Sequence, residues 1–424
     1  MQRRQWIGGV LAALAASRSW ASGTSEDAQA RILDGVRRAV LETAALEGLD
    51  SRTCVWTIEP RMIGPNAVEL FGETSEASAL ARLVAGLGGI GAAVRSRVDI
   101  LPDRADLKEQ VWALAARPVV SVRSTEAKEG ARQVDELILG MPARVLKRTA
   151  SGVLLQTPSA RVGWADAEAL RAATDTTLLA WNRHEKIAAT GKSTEVRLEG
   201  KDAAALELPA GAVMEVVESS AEDWLVRLPD GRRARVRRAD AELLEAREIR
   251  EEDRRRSHPE QFLADIAKTA RSLAGRPYRS GGWTDQGFDE VGFVRAAFFR
   301  HDLILPSEMD QLARMGRPLS GGRRGRDLKA GDLVFFGTPA RGERGPEFSS
   351  LGLALGRGEF LEVVRTREGE AALRRGSFAK PRRSRGAFLW AVRIEVADMR
   401  HPYLYSTRTH GFYQAPPAQM RAHL

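Results

Sequence analysis

Few residues of this 424-residue chain are placed to do chemistry. Its six histidines, His184, His258, His301, His401, His410 and His423, share no ligand-like spacing. The single cysteine, Cys54, allows no internal disulfide and no cysteine-rich metal site. Cys54 sits in a strand-like run between Thr53 and Val55 with no base placed near it, which is the setting of a buried, inert thiol. Neither a metal nor a cofactor is expected. The stretch that concentrates special residues is 274–295, A-G-R-P-Y-R-S-G-G-W-T-D-Q-G-F-D-E-V-G-F-V-R. It is glycine-rich, then turns apolar at Val291-Gly292-Phe293-Val294 and continues Ala296-Ala297-Phe298-Phe299. A loop feeding a buried helix reads this way: Asp289 is a candidate cap, and Phe293 and Ala297 repeat at helical spacing.

On these residues the segment 258–398 closely resembles the NlpC/p60 family of papain-like cysteine peptidases, which cut peptidoglycan stem peptides. The family loop reads roughly P-Y-x-W-G-G, a spacer, then G-F-D-C-S-G, with the cysteine as nucleophile in the first turn of the helix. Pro277, Tyr278, Gly281, Gly282, Gly287, Phe288, Asp289 and Gly292 fall in place. So do Leu303-Ile304-Leu305-Pro306 with Asp310-Gln311, and the run D-L-K-A-G-D-L-V-F-F at 327–336. At the family's nucleophile, its histidine base and its third polar residue stand Glu290, Ser350 and Glu362. A cysteine peptidase needs a thiolate activated by a neighbouring imidazole that then protonates the leaving amine. The resemblance therefore implies a papain-like fold kept without that activity, with Tyr278 and Asp289 left as substrate-lining residues. A sharper alternative has Glu290 and Glu362 facing each other as an acid–base pair or a metal site. The plainer one has them in a solvated cleft, or paired with a local arginine such as Arg279 or Arg365.

The elements that must carry this segment come before it. A chain of this length predicts about two to four domains. The net charge of +9 favours loose association with anionic polymers, but no basic helix interleaved with aromatics supports nucleic-acid reading. Residues 1–21 have a basic head (Arg3, Arg4), an apolar run and a small-residue exit, and read as an export signal of twin-arginine type. No later apolar run is long enough to span a bilayer. Residues 27–105 read as a helix, strands at 54–58 and 67–73 about the turn Gly64-Pro65-Asn66, a second helix and a strand at 94–101. They resemble the short BON domain.

An internal repeat covers about 117–245. G-M-P-A-R-V-L-K-R at 140–148 is echoed by G-A-V-M-E-V-V-E at 211–218, and V-G-W-A-D-A-E at 162–168 by A-R-V-R-R-A-D-A-E at 234–242. Short alternating strands with tight turns, Asp230-Gly231 the clearest, predict one small barrel at 117–175 and another at 186–245. Both resemble bacterial SH3-like domains, which commonly bind cell-wall peptide, so Trp164 and Trp224 are candidate stacking platforms or core aromatics. The charged run 245–256 reads as a solvated helix or linker, and the tail 399–424 carries no readable function. The fold class expected is α+β and multidomain: a BON-like module, two SH3-like barrels and a papain-like C-terminal domain. The role expected is an exported, periplasmic protein that binds peptidoglycan stem peptides or regulates a wall hydrolase or another envelope protein. The rivals are an active wall peptidase with relocated chemistry and a protein-interaction scaffold.

Overall fold

The computed structural model describes residues 25–191, 193–200, 204–319, 325, 327–342, 344–365, 371–380, 386–399 and 401–414. The export signal expected over 1–21 lies outside them. The chain forms two compact units, one running to Leu49 and resuming at Trp56–Asp99, the other made of Asp50–Val55 and the chain from Ile100 onward.

The first unit contains α1 (Ser25–Leu46), the hairpin β1 (Glu59–Gly64) and β2 (Ala67–Thr74), α2 (Ala77–Gly86) and β3 (Ala93–Ile100). Its sheet runs β1-β2-β3. Val36 and Val40 of α1, Val68 and Leu70 of β2, and Leu80 and Leu83 of α2 make its core. The strand expected at 54–58 forms instead at 59–64, after the chain has turned. Asp50 is the cause: its carboxylate accepts the Arg52 amide at 2.9 Å and its carbonyl accepts those of Thr53 and Cys54 at 2.8 and 3.0 Å. Such a turn pulls 50–54 out of extended conformation. Pro60 is tolerated in β1 because that strand lies at the sheet edge.

The second unit begins with β4 (Trp112–Ala115), β5 (Val119–Arg123), β6 (Gln133–Ile138), β7 (Pro142–Arg148), β8 (Val153–Gln156), β9 (Val162–Ala165) and β10 (Leu170–Ala173). These make a seven-stranded sheet in the order β10-β4-β7-β8-β9-β5-β6. After α3 (Asp175–Arg183) come β11 (Lys186–Ala189), β12 (Thr194–Leu198), β13 (Ala205–Leu208), β14 (Val213–Ser219), β15 (Asp223–Arg227), β16 (Arg233–Arg237) and β17 (Ala241–Leu243). Their order is β17-β11-β14-β15-β16-β12-β13, the first order with every strand number advanced by seven. The irregularities coincide too: register shifts between Val145 and Lys147 in the first sheet and between Val216 and Glu218 in the second. The repeat is therefore one of topology. The barrels expected from the strand lengths are not closed, because in neither sheet do the terminal strands pair among the described residues. The edge strand β6 is met instead by the glycine-rich loop of the C-terminal segment, which protects its polar edge.

That segment contains α4 (Leu244–Ser257), α5 (Pro259–Ser272), the two-residue strands β18 (Trp283–Thr284) and β19 (Gly287–Phe288), α6 (Gly292–Phe299) and α7 (Met309–Ala313). Its sheet holds β20 (Arg317–Leu319), β21 (Leu333–Thr338), β22 (Glu347–Gly356), β23 (Glu359–Arg365), β24 (Ala371–Ser377) and β25 (Ala387–Arg393) in the order β20-β25-β21-β22-β23-β24. Phe262, Leu263 and Ile266 of α5 and Phe293, Val294 and Phe298 of α6 pack against Leu333, Phe335, Leu351, Leu353 and Leu361. Alternate residues, Val334, Phe336, Ala354 and Phe360, make a second cluster, as the two-residue period of a strand requires.

The run 245–256 departs from its expectation. It is helix α4, and Arg247, Glu248, Glu251 and Arg255 are buried along it. Arg247 donates to the Phe299 carbonyl at 2.5 Å, capping α6, and Arg255 donates to that of Val396 at 3.1 Å. Mixed charge signals a solvated helix only when no partner waits on the buried side, and here partners come from distant sequence. The tail returns as well: Tyr405 bridges to Ile304, and Phe412 of α8 (Gly411–Gln414) meets the Trp112 ring edge-on at 5.1 Å.

Candidate functional site

The glycine-rich loop and the start of α6 are built around backbone. A Cβ on Gly292 would lie 1.8 Å from the Gly282 carbonyl oxygen, so the helix starts in contact with the loop and only glycine fits there. Asp289 locks this approach. Its Oδ1 accepts the amides of Val291 and Gly292 at 3.0 and 2.8 Å, and its Oδ2 accepts that of Gly281 at 2.8 Å. The cap expected at Asp289 is thus a clasp joining loop and helix. Burial raises the pKa of Asp289, opposed by the amides of Gly292 and Gly281. A carboxylate accepting three amides serves the backbone, which is a structural role for a residue expected to line a substrate.

Tyr278 and Glu290 are brought together here. The Tyr278 hydroxyl donates to Glu290 Oε2 at 3.2 Å, and the Tyr278 ring packs on the helix–sheet core. Ser350 and Glu362 lie in the sheet, both buried. Ser350 is opposite Phe336, and Glu362 is opposite Gly352 on one side and Arg374 on the other. Gly352 in turn lies opposite Val334, so Glu362 shares a row with the second cluster. Val291 and Phe293, which follow Glu290, enter the helix-side core. Among the described residues no group of three or more His, Cys, Asp and Glu is placed to hold a metal ion.

Trp164 is not part of this arrangement. It lies opposite Leu154 on β8 and packs on the cluster of Val55, Leu101, Leu146 and Leu154. Its neighbour Ala165 points into the main core of that sheet. Trp224 is buried in the second sheet's core, with the Arg238 guanidinium 3.9 Å above its ring. Trp224 is thus a core residue, and Trp164 is partly buried against its cluster. Cys54 is buried and donates to the Asp50 carbonyl at 3.3 Å.

The loop is held from outside by residues the sequence reading did not single out. Glu136 on β6 accepts the amides of Trp283 and Thr284 on one oxygen, at 3.0 and 3.2 Å, while its carbonyl accepts the Trp283 indole N–H at 2.9 Å. Arg279 lies 3.4 Å from its other oxygen and donates to Gln133 at 3.1 Å. Asp135 pairs with Arg295 of α6 at 2.9 Å and accepts the hydroxyls of Thr157 and Ser159. Both acids are buried, at 0 and 1% exposure. The Glu136 carboxyl is raised by burial against the pull of the Trp283 amide and Arg279. Gly281 comes so close to β6 that a Cβ would lie 2.4 Å from the Gln133 carbonyl oxygen. A signal was present in Q-V-D-E-L-I-L at 133–139, where two adjacent acids interrupt an apolar strand. Buried acids need partners, and the Trp283 amide and the Arg295 guanidinium that meet these two come from more than 140 residues away.

The profile of the NlpC/P60 family matches residues 275–382. The chain is 34% identical over 106 residues to a probable endopeptidase of Haemophilus influenzae, covering 25% of this chain and 61% of that one. It is 40% identical over 77 residues to the probable endopeptidase NlpC of Escherichia coli, covering 18% and 47%. The chain thus spans less than two thirds of these relatives. A crystal structure of an NlpC/P60 family protein from Bacillus cereus superposes with a TM-score of 0.54 at 16% identity, covering 66% of this chain and 99% of that one. At that identity the likeness is one of fold. The glycines of the loop, the clasp at Asp289 and the sheet that follows agree with the matched segment: the C-terminal part of this chain is an NlpC/P60 family domain.

Proposed function

We propose that the protein is an exported, periplasmic member of the NlpC/P60 fold that binds peptidoglycan stem peptides without cleaving them, and so retains wall peptide or regulates a wall hydrolase. The observation that carries this reading is Glu290. It occupies the place after Asp289 where the family's nucleophile is expected, bonded to Tyr278, while the one thiol of the chain is buried in a turn at Cys54. A carboxylate there cannot form a thioester. Two relatives named as probable endopeptidases support a peptide as the ligand of this fold. The two topologically identical sheets fit SH3-like modules, and the first unit fits a BON-like one. No helix among the described residues is long and apolar enough to cross a membrane.

The test uses the chain from residue 22, incubated with disaccharide–peptide fragments of peptidoglycan and followed by mass spectrometry with and without divalent cations. The expected result is intact fragments that are retained on the immobilised protein, with weaker retention by Tyr278→Phe. Cleavage abolished by Glu290→Gln would overturn the reading. Intact fragments with no retention would leave a protein-interaction role in its place.

A further inference from the structure

A cavity of about 500 Å³ lies in the second unit, away from the glycine-rich loop, between the end of α3, the start of α4 and α8. Trp181, Leu244 and Ile249 give it apolar walls, and Lys186, Arg183, Arg408 and Glu248 are among the charged groups that line it. That volume is in the range of pockets that hold small ligands.

The charges are not equivalent. Lys186 Nζ donates to the carbonyls of Trp181, Asn182 and His184 at 2.8, 2.9 and 2.7 Å, so its three N–H groups are spent on ending α3. Glu248 is 7% exposed, and its Oε1 accepts the Thr407 hydroxyl at 2.5 Å. Its Oε2 takes no hydrogen bond among the described residues, yet is not sealed off from the cavity that Glu248 lines. An inward carboxylate oxygen therefore waits for a donor. Arg183, in the last turn of α3, is exposed at the mouth and makes no ion pair among the described residues. An acceptor within and a cation at the rim make a dipole that a ligand of opposite polarity would match.

We propose that this cavity is a binding site for a zwitterion the size of an amino acid or dipeptide, its ammonium on Glu248 and its carboxylate on Arg183. Burial raises the pKa of Glu248 in spite of the Thr407 hydrogen bond and the charges of Arg408 and Lys186, and an ammonium on its second oxygen would further oppose that shift. Hydrogen bonds to charged groups are the stronger kind, so each end should matter on its own. The site does not depend on what Glu290 does.

Calorimetric titration of the full chain with L-alanyl-L-alanine tests it, beside N-acetyl-L-alanyl-L-alanine, which lacks the ammonium, and L-alanyl-L-alaninamide, which lacks the carboxylate. The zwitterion should bind saturably, and acetylation should weaken binding by at least about tenfold, the loss expected for one charge-assisted hydrogen bond. Glu248→Gln should weaken binding of the dipeptide to a similar degree. Arg183→Ala, a surface change that leaves folding intact, should weaken the dipeptide but not the amide. No saturable binding of the dipeptide at about 10 mM, well above a Kd of about 1 mM, would overturn the proposal. So would equal binding of all three ligands, or Arg183→Ala binding the dipeptide as the native chain does.

Discussion

Replacing Glu136 by alanine should release the glycine-rich loop without touching any residue of it. The carboxylate is 1% exposed, and a single oxygen holds the amides of Trp283 and Thr284 at 3.0 and 3.2 Å. Each buried donor left without an acceptor costs about 1–3 kcal/mol, so the two together weaken local closure by about 2–6 kcal/mol. At about 1.4 kcal/mol per factor of ten, amide exchange over 281–285 should accelerate by about 30-fold to about ten-thousandfold. Hydrogen exchange read by mass spectrometry suits a chain of several domains, where one global unfolding midpoint is poorly defined. Glu136→Gln separates the contributions. Its remaining amide oxygen can still accept both N–H groups, while the charge facing Arg279 at 3.4 Å is lost, so it should recover most of the protection. Unchanged exchange over 281–285 in the alanine variant would show that the loop closes by itself and that β6 is a bystander.

Glu251 predicts a pH dependence. Burial pushes its carboxyl up, but the hydrogen bond and charge of His301 with the charge of Arg254 prevail and bring it down to about 2. A depressed folded pKa gives stability that is present above the unfolded carboxylate pKa and is lost as pH falls towards 2. From the model-compound value of 4.5, the shift corresponds to about 3 kcal/mol. The difference in amide-exchange protection of α4 between the native chain and Glu251→Gln should therefore shrink as pH falls below about 5; a difference that grows in acid would refute the assignment. Tyr413 points the other way: its hydroxyl is buried with no hydrogen-bond partner among the described residues. Tyr413→Phe should thus leave amide-exchange protection around 411–414 unchanged or raise it, by up to the worth of one unsatisfied group, about 1 kcal/mol, and a marked loss would mean the hydroxyl has a partner.

What the sequence made legible was local. The turn at Gly64-Pro65-Asn66, the cap at Asp289 and the onset of α6 follow from residues within a few positions of one another, where spacing determines geometry. The repeat was legible because the two sheets share their strand order. Closure of those sheets was not, since β6 meets a loop about 150 residues later rather than its own first strand. The same distance hid the roles of Asp135 and Glu136, and made α4 look like a solvated helix when its partners are Phe299, His301, Val396 and Thr407. Trp164 was ambiguous for a different reason. An aromatic in a small β module reads equally as platform or packing, and alternation along β9 sends it to the cluster of Leu146 and Leu154.

The survival of the loop motif beside Glu290 follows from these contacts. Gly292 is fixed by the Gly282 carbonyl, Gly281 by the Gln133 carbonyl, Asp289 by three amides, and the Trp283–Thr284 pair by Glu136. Each is a backbone requirement that would hold whatever side chain stood at 290. A family motif of this kind therefore reports two things with different weight. Its glycines and its aspartate report the fold, because without them the helix cannot meet the loop. The residue after the aspartate reports the chemistry, because none of these backbone contacts calls for a particular side chain there. In this chain the first set is complete and the second is a carboxylate, which is why the fold can be stated and the activity has to be tested.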